Sequence, residues 1–261
     1  MEPPPLLPEP QTEPPRTATM SVGARLMNVF AVPGEVFQEV KVAPASAANW
    51  VVPVLLFIIV GVLSVLVIFS QPAIVQQLRE QQDKAIEKQV QAGKITQAQA
   101  DQATAVLEKF MGPTTLKLFG SAGVVVVGFV RVLWWAFILW LFGRWVLKVS
   151  LDFNKTLEVA GLTTMIVVLG AVVALLLTVN LGKLGMGASL ALAVKDFDMN
   201  RKSHLFAGAA NVFSFWQLAV TSIGLARLAN VPFVRAAWVV FTYWLMQESL
   251  LIMSGMGQWA L

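Results

Sequence analysis

Arg131 stands near the middle of a long apolar stretch of the sequence. An ionised guanidinium at that depth in a bilayer costs at least about 2.5–3.5 kcal/mol on insertion scales, so it must turn away from lipid and find a partner. Glu248, in the last apolar stretch, is the expected partner, and Asn211, Gln217 and Gln247 could complete an intramembrane polar network with the pair. Such a network has two chemical uses. It can hold helices together through interhelical hydrogen bonds, or it can gate a small solute, an ion or a proton.

Other chemistries lack their parts. The chain has no Cys, which removes disulfides, thiolate metal sites and thiol nucleophiles. It has a single His, His204, and a zinc site needs three or four N, S or O ligands. Intramembrane hydrolysis would need a Ser with a His or Lys base, an Asp pair or a metal-binding His cluster. Asp196, Asp198, Ser203 and His204 share one connecting segment, where polar side chains are ordinarily just solvated. The run GKLGMGAS after Asn180 is glycine-rich but lacks the closing Lys-Ser/Thr order that cradles phosphate. No catalytic residue, metal or cofactor is expected.

The elements that must position Arg131 and Glu248 are membrane-spanning helices. Of the 261 residues 57% are hydrophobic and only 13% charged, which is far from the roughly 25% charged residues of a soluble domain. Five apolar stretches, 50–70, 118–145, 157–180, 205–225 and 233–254, each meet the roughly 20 residues needed to cross about 30 Å of hydrocarbon. Trp50, Trp145 and Trp259 are placed to anchor their edges at the headgroups. The fold class is therefore all-α, a polytopic membrane bundle. Segment 182–194 is apolar only over a length too short to span and reads as a loop or interfacial piece. Gly170 and Ala174 form a small-xxx-small pair suited to close helix packing.

Outside the spans, residues 1–20 form a Pro-rich tail with Glu2, Glu9 and Glu13, a composition that cannot bury a core and predicts disorder. Residues 21–48 read as two amphipathic helices, Val22, Leu26, Val29 and Phe30 on one and Val36, Phe37 and Val40 on the next, interrupted at Pro33-Gly34 and expected at the membrane interface. The membrane domain is expected over 49–256, with a polar insert at 71–117 that predicts a helical hairpin divided at Gly93. Thr96 with Gln99 gives a capping box, and Leu78, Ala85, Ile86, Val90 and then Ala103, Val106, Leu107, Phe110 and Met111 supply its thin apolar faces.

The net charge of +4 is scattered among loops, which argues against nucleic acid and fits contact with anionic lipid headgroups. The short, densely basic connection from Arg144 to Lys155 favours a cytoplasmic N-terminus with the hairpin and C-terminus outside, although the hairpin is itself basic. The expected partners are the lipid bilayer, an unidentified membrane or cytoplasmic protein, and a second copy in a homo-oligomer.

Three passages resemble the Yip family (Ypt/Rab-interacting proteins), in its bacterial branch. RLMNVFAVPGEVFQEVKVAP, at 25–44 and followed by Trp50 and Pro53, is similar to the family's opening helix pair. LKVSLDFNKTLEVAGL, at 147–162, resembles its short connection before the third span, and VFSFWQLAVTSIGLARL, at 212–228 ahead of Ala236 and Ala237, its fourth span. The long insert departs from the short first loop of eukaryotic members, and their acidic-aromatic-Gly-Pro motif is not found, so Rab binding does not carry over. The resemblance implies a five-span bundle with a cytoplasmic N-terminus, working without known catalytic residues in the bacterial cytoplasmic membrane. The resulting expectation is a non-enzymatic scaffold or adaptor acting through protein or lipid partners. The rival is a solute or ion transporter using Arg131 and Glu248.

Overall fold

The computed structural model describes residues 20–110, 112–185, 187–195, 197–198 and 201–255. Residues 1–19 of the expected tail, Met111, Asp196 and Trp259 lie outside them, while Met20 is described and packs against the core. Among the described residues the chain is ten α-helices and one 3-10 turn, with no strand beyond an isolated antiparallel bridge.

The sequence dictates the first two helices locally. The Ser21 hydroxyl accepts a hydrogen bond from the Ala24 N–H (3.2 Å) and caps α1, Val22–Ala31. Pro33, whose fixed φ suits a first helical position, starts α2, Pro33–Val42. The apolar faces of this pair pack on the bundle: Val29, Val36, Phe37 and Val40 are fully buried, in one core cluster with Val159, Leu162, Leu218 and Leu225. Met27 and Val42 remain exposed beside them.

Five helices are long and apolar enough to cross a membrane: α3 (Ala48–Ile68), α6 (Pro113–Trp145), α7 (Phe153–Leu181), α9 (Val212–Ala229) and α10 (Phe233–Met253). Half of the α9 window is buried against 11% for α3, so α9 is central and α3 peripheral. The side chains left exposed, among them Leu55, Ile59, Val126, Val130, Trp238 and Leu250, are the apolar surface that a bilayer covers. Pro113 at a first helical position extends α6 five residues ahead of its expected start. The Asp152 carboxylate, accepting from the Asn154 N–H, starts α7 four residues early.

The fourth span departs from expectation. In place of one helix over 205–225 there are two, α8 (Lys202–Ala209) and α9. Asn211 sits between them in extended backbone; its Oδ1 accepts from the Phe213 N–H (2.9 Å), and Ser189 pairs with it in the antiparallel bridge. Asn211 therefore caps the fourth span from outside the helix. Apolar composition continues across this break, so only the capping competence of an Asn marks it. At its other end α9 runs on to Ala229, where Asn230 in the left-handed region and Pro232 stop it. Its 18 residues span about 27 Å.

The polar insert is a helical hairpin, α4 (Pro72–Gln91) and α5 (Gln97–Phe110). Gly93 takes φ +66° between them, a conformation that costs other residues. The capping box forms as expected: the Gln99 N–H donates to Thr96 Oγ1 (3.3 Å) and the Thr96 N–H to Gln99 Oε1 (2.9 Å). Burial is slight, at Ile74, Val75 and Ala100, while Val106 is more than half exposed. Gln77 Nε2 donates to the Gly182 carbonyl at the end of α7 (2.6 Å), so the hairpin, the end of the third span and the loop after it share one side of the bundle.

Candidate functional site

A cavity of about 310 Å3 lies among all five spans. Phe57 of α3, Val127 and Arg131 of α6, Gly170 and Ala174 of α7, Gln217 of α9 and Glu248 of α10 all face it, and Ser189 and Asn211 close one end. The small-residue pair on α7 provides the room: a Cβ on Gly170 would lie 2.9 Å from the Cβ of Phe213.

Arg131 Nη2 donates to Gln217 Oε1 at 3.1 Å, and the guanidinium carbon lies 5.9 Å from the centroid of the Phe57 ring. Both contacts suit a cation held away from lipid. Glu248 shares the cavity but does not close on Arg131 to ion-pair distance; the ion pairs among the described residues are Arg25–Glu39, Lys155–Glu158 and Arg201–Asp198. Oε2 of Glu248 is buried without a hydrogen-bond partner. Gln247 is not part of the cavity wall, and its Oε1 is likewise buried and unpartnered. Of the five residues expected in one network, four line the cavity and one hydrogen bond, Arg131 to Gln217, joins two of them.

A second polar cluster, at the opposite end of the bundle, escaped the sequence reading. Lys155 Nζ donates to the carbonyls of Val40 (2.7 Å) and Ala43 (2.6 Å) at the end of α2 and to Glu158 Oε1 (3.1 Å). The other carboxylate oxygen, Oε2, accepts from Asn49 Nδ2. Asn49 and Glu158 are buried. Nearby, Arg25 Nη2 (3.0 Å) and the Met20 N–H (2.8 Å) both donate to Glu39 Oε1. Lys155 thus caps the free carbonyls of α2 with a charge that also suits the helix C-terminus, and the cluster clamps α1 and α2 onto α3 and α7. The available signal was the i,i+3 spacing of Lys155 and Glu158, where Glu158 stands just inside an apolar stretch.

Ser203 and His204 lie in the first turn of α8 and not in a loop: His204 Nδ1 accepts from the N–H of Asp198 in the preceding segment (2.9 Å), and its ring stacks on Phe197 (5.8 Å between centroids). That ring nitrogen is engaged with backbone, and Asp198 meets Arg201 at 3.9 Å on the surface. This is the geometry of a loop holding its own turn.

The Yip1 domain family model matches residues 27–255, a stretch that takes in α2, the hairpin and all five spans. No curated protein and no solved structure matches the chain. The family match agrees with the three resembling passages and with the five-span helical architecture, and it covers most of the sequence: this membrane protein belongs to the Yip1 domain family.

Proposed function

We propose that the protein is a non-enzymatic scaffold or adaptor of the bacterial cytoplasmic membrane, with its N-terminus in the cytoplasm, acting through a protein or lipid partner in membrane organisation. The observation that supports this reading is the α4–α5 hairpin. It is two helices long, polar over most of its sequence, buried among its described side chains at Ile74, Val75 and Ala100, and tied back by the Gln77 to Gly182 hydrogen bond. Short helices gain stability mainly from tertiary packing, so a hairpin so little packed on its own bundle offers two helical faces to something else, a partner protein or a second copy of the chain.

The test is a photo-crosslinking amino acid placed at Gln91, at the exposed tip, in cells expressing the full chain, beside a variant in which residues 72–111 are replaced by a short Gly/Ser linker. The scaffold reading expects one reproducible adduct from the tip and loss of the cellular phenotype in the linker variant, which still inserts and purifies. A linker variant with full phenotype overturns it.

A further inference from the structure

The cavity among the spans presents charges of both signs that the protein leaves apart. Arg131 carries five N–H donors and makes one hydrogen bond within the protein, to Gln217. Glu248 Oε2 is buried with no donor at all. A desolvated charge short of partners is costly, and here both residues line one space of about 310 Å3. A bare cation entering it would satisfy Glu248 and meet Arg131; a bare anion would do the reverse. A molecule carrying an oxyanion at one end and a cation at the other satisfies both.

We infer that this cavity binds a zwitterionic aminophosphate, the headgroup chemistry of phosphatidylethanolamine, with phosphate oxygens on Arg131 and Ser214 and the ammonium on Glu248. A guanidinium fork matches a phosphate's oxygens, and the Ser214 hydroxyl, also on the cavity wall, adds a donor to the same end. The Glu248 carboxylate, which lines the cavity and has no ion pair, takes an N–H donor, which a primary ammonium supplies and a trimethylammonium does not. The walls are membrane spans, so the bilayer is the nearest source of the headgroup; free phosphoethanolamine is the soluble source of the same chemistry. The site goes beyond the scaffold reading and does not rest on it, because the hairpin takes no part.

The experiment is thermal unfolding of the delipidated full chain in detergent, titrated with phosphatidylethanolamine, phosphatidylcholine or phosphatidylglycerol of identical acyl chains, and separately with free phosphoethanolamine. Phosphatidylethanolamine is expected to raise Tm more than either other lipid. Glu248→Gln should raise its half-saturating concentration about tenfold, the scale of one lost charge-assisted hydrogen bond, and erase its advantage over phosphatidylcholine. Ser214→Ala, a mild change, should weaken the response in the same direction and serves if Glu248→Gln does not fold. Protection by free phosphoethanolamine that Ser214→Ala weakens supports the site and assigns it to the soluble source. Equal stabilisation by all three lipids without protection by free phosphoethanolamine overturns the inference, as does a folded Glu248→Gln variant with the preference intact.

Discussion

Gly161 of α7 lies so close beneath Trp50 of α3 that a Cβ built on it would fall 2.3 Å from the Trp50 Cα and 2.8 Å from the Asn49 carbonyl oxygen. The obstacle is backbone, which cannot swing aside as a side-chain tip can. Gly161→Ala must therefore separate the first and third spans, at about 1–3 kcal/mol for forced overpacking. Gly123→Ala, at a helical position where a Cβ meets nothing within 4 Å, should be neutral or slightly stabilising. Thermal unfolding of the two variants in detergent checks the contrast, and equal Tm values would show that the two helices do not meet here.

The clamp beside this contact, which shares Asn49 with it, makes a second prediction. Lys155→Met strands the buried Glu158 carboxylate and frees the carbonyls of Val40 and Ala43. Breaking one side of a buried pair costs about 3–5 kcal/mol. Because Lys155 ties α2 to α7, the variant should also expose the α1–α2 pair to limited proteolysis, with cleavage near residues 32–45 ahead of any cut in the bundle. Proteolysis unchanged from the wild type would remove the clamp.

Arg131 and Gln217 should couple, while Arg131 and Glu248 act through the cavity between them. A double-mutant cycle with Arg131→Leu and Gln217→Leu is expected to show an interaction of about 0.5–3 kcal/mol. Arg131→Leu and Glu248→Leu should each lower expression, and the double replacement should return both stability and cellular phenotype toward wild type. A stable double variant without phenotype would assign the phenotype to the cavity, as a transport path or a headgroup site, and away from the hairpin scaffold.

Topology is checked by reporter fusions at Gln91 and at the C-terminus. An odd number of spans puts the two chain ends on opposite sides, and the hairpin shares the side of the last residues of α3, α7 and α10. Both fusions should report the outside of the cell. Two cytoplasmic signals would invert the orientation, and opposite signals would contradict five spans.

Excised as a peptide, residues 72–110 should be largely unfolded by circular dichroism, because Ile74, Val75 and Ala100 make no independent core. A cooperative transition from a monomeric peptide is the contrary result.

Span length carried most of the architecture into the sequence: five apolar runs of the right length have few alternatives in water, and Thr96 with Gln99 marked the hairpin's second helix at single-residue detail. The start of the fourth span was hidden because hydropathy integrates side-chain area and is blind to dihedrals. At 205–225 the area stays apolar while Asn211 turns the backbone. Arg131 was conspicuous as the one basic residue deep in an apolar run, yet its partner was set by helix rotation, which brings Gln217 to it before Glu248. Glu158 was hidden for the opposite reason. It stands at the end of its run, where a carboxylate can ordinarily reach water, and only the folding back of residues 20–49 over it makes it buried.

α6 continues without a break from Pro113 to Trp145, about 50 Å of helix through about 30 Å of hydrocarbon. A helix longer than its bilayer accommodates a change in thickness by tilting. The hairpin joins α6 just ahead of Pro113, at the end that stands beyond the hydrocarbon on its side. A tilt of α6 therefore acts on a hairpin that Gln77 also holds to the Gly182 carbonyl at the end of α7. The helix that seats Arg131 thus also carries one end of the hairpin, so the cavity and the hairpin share a single element.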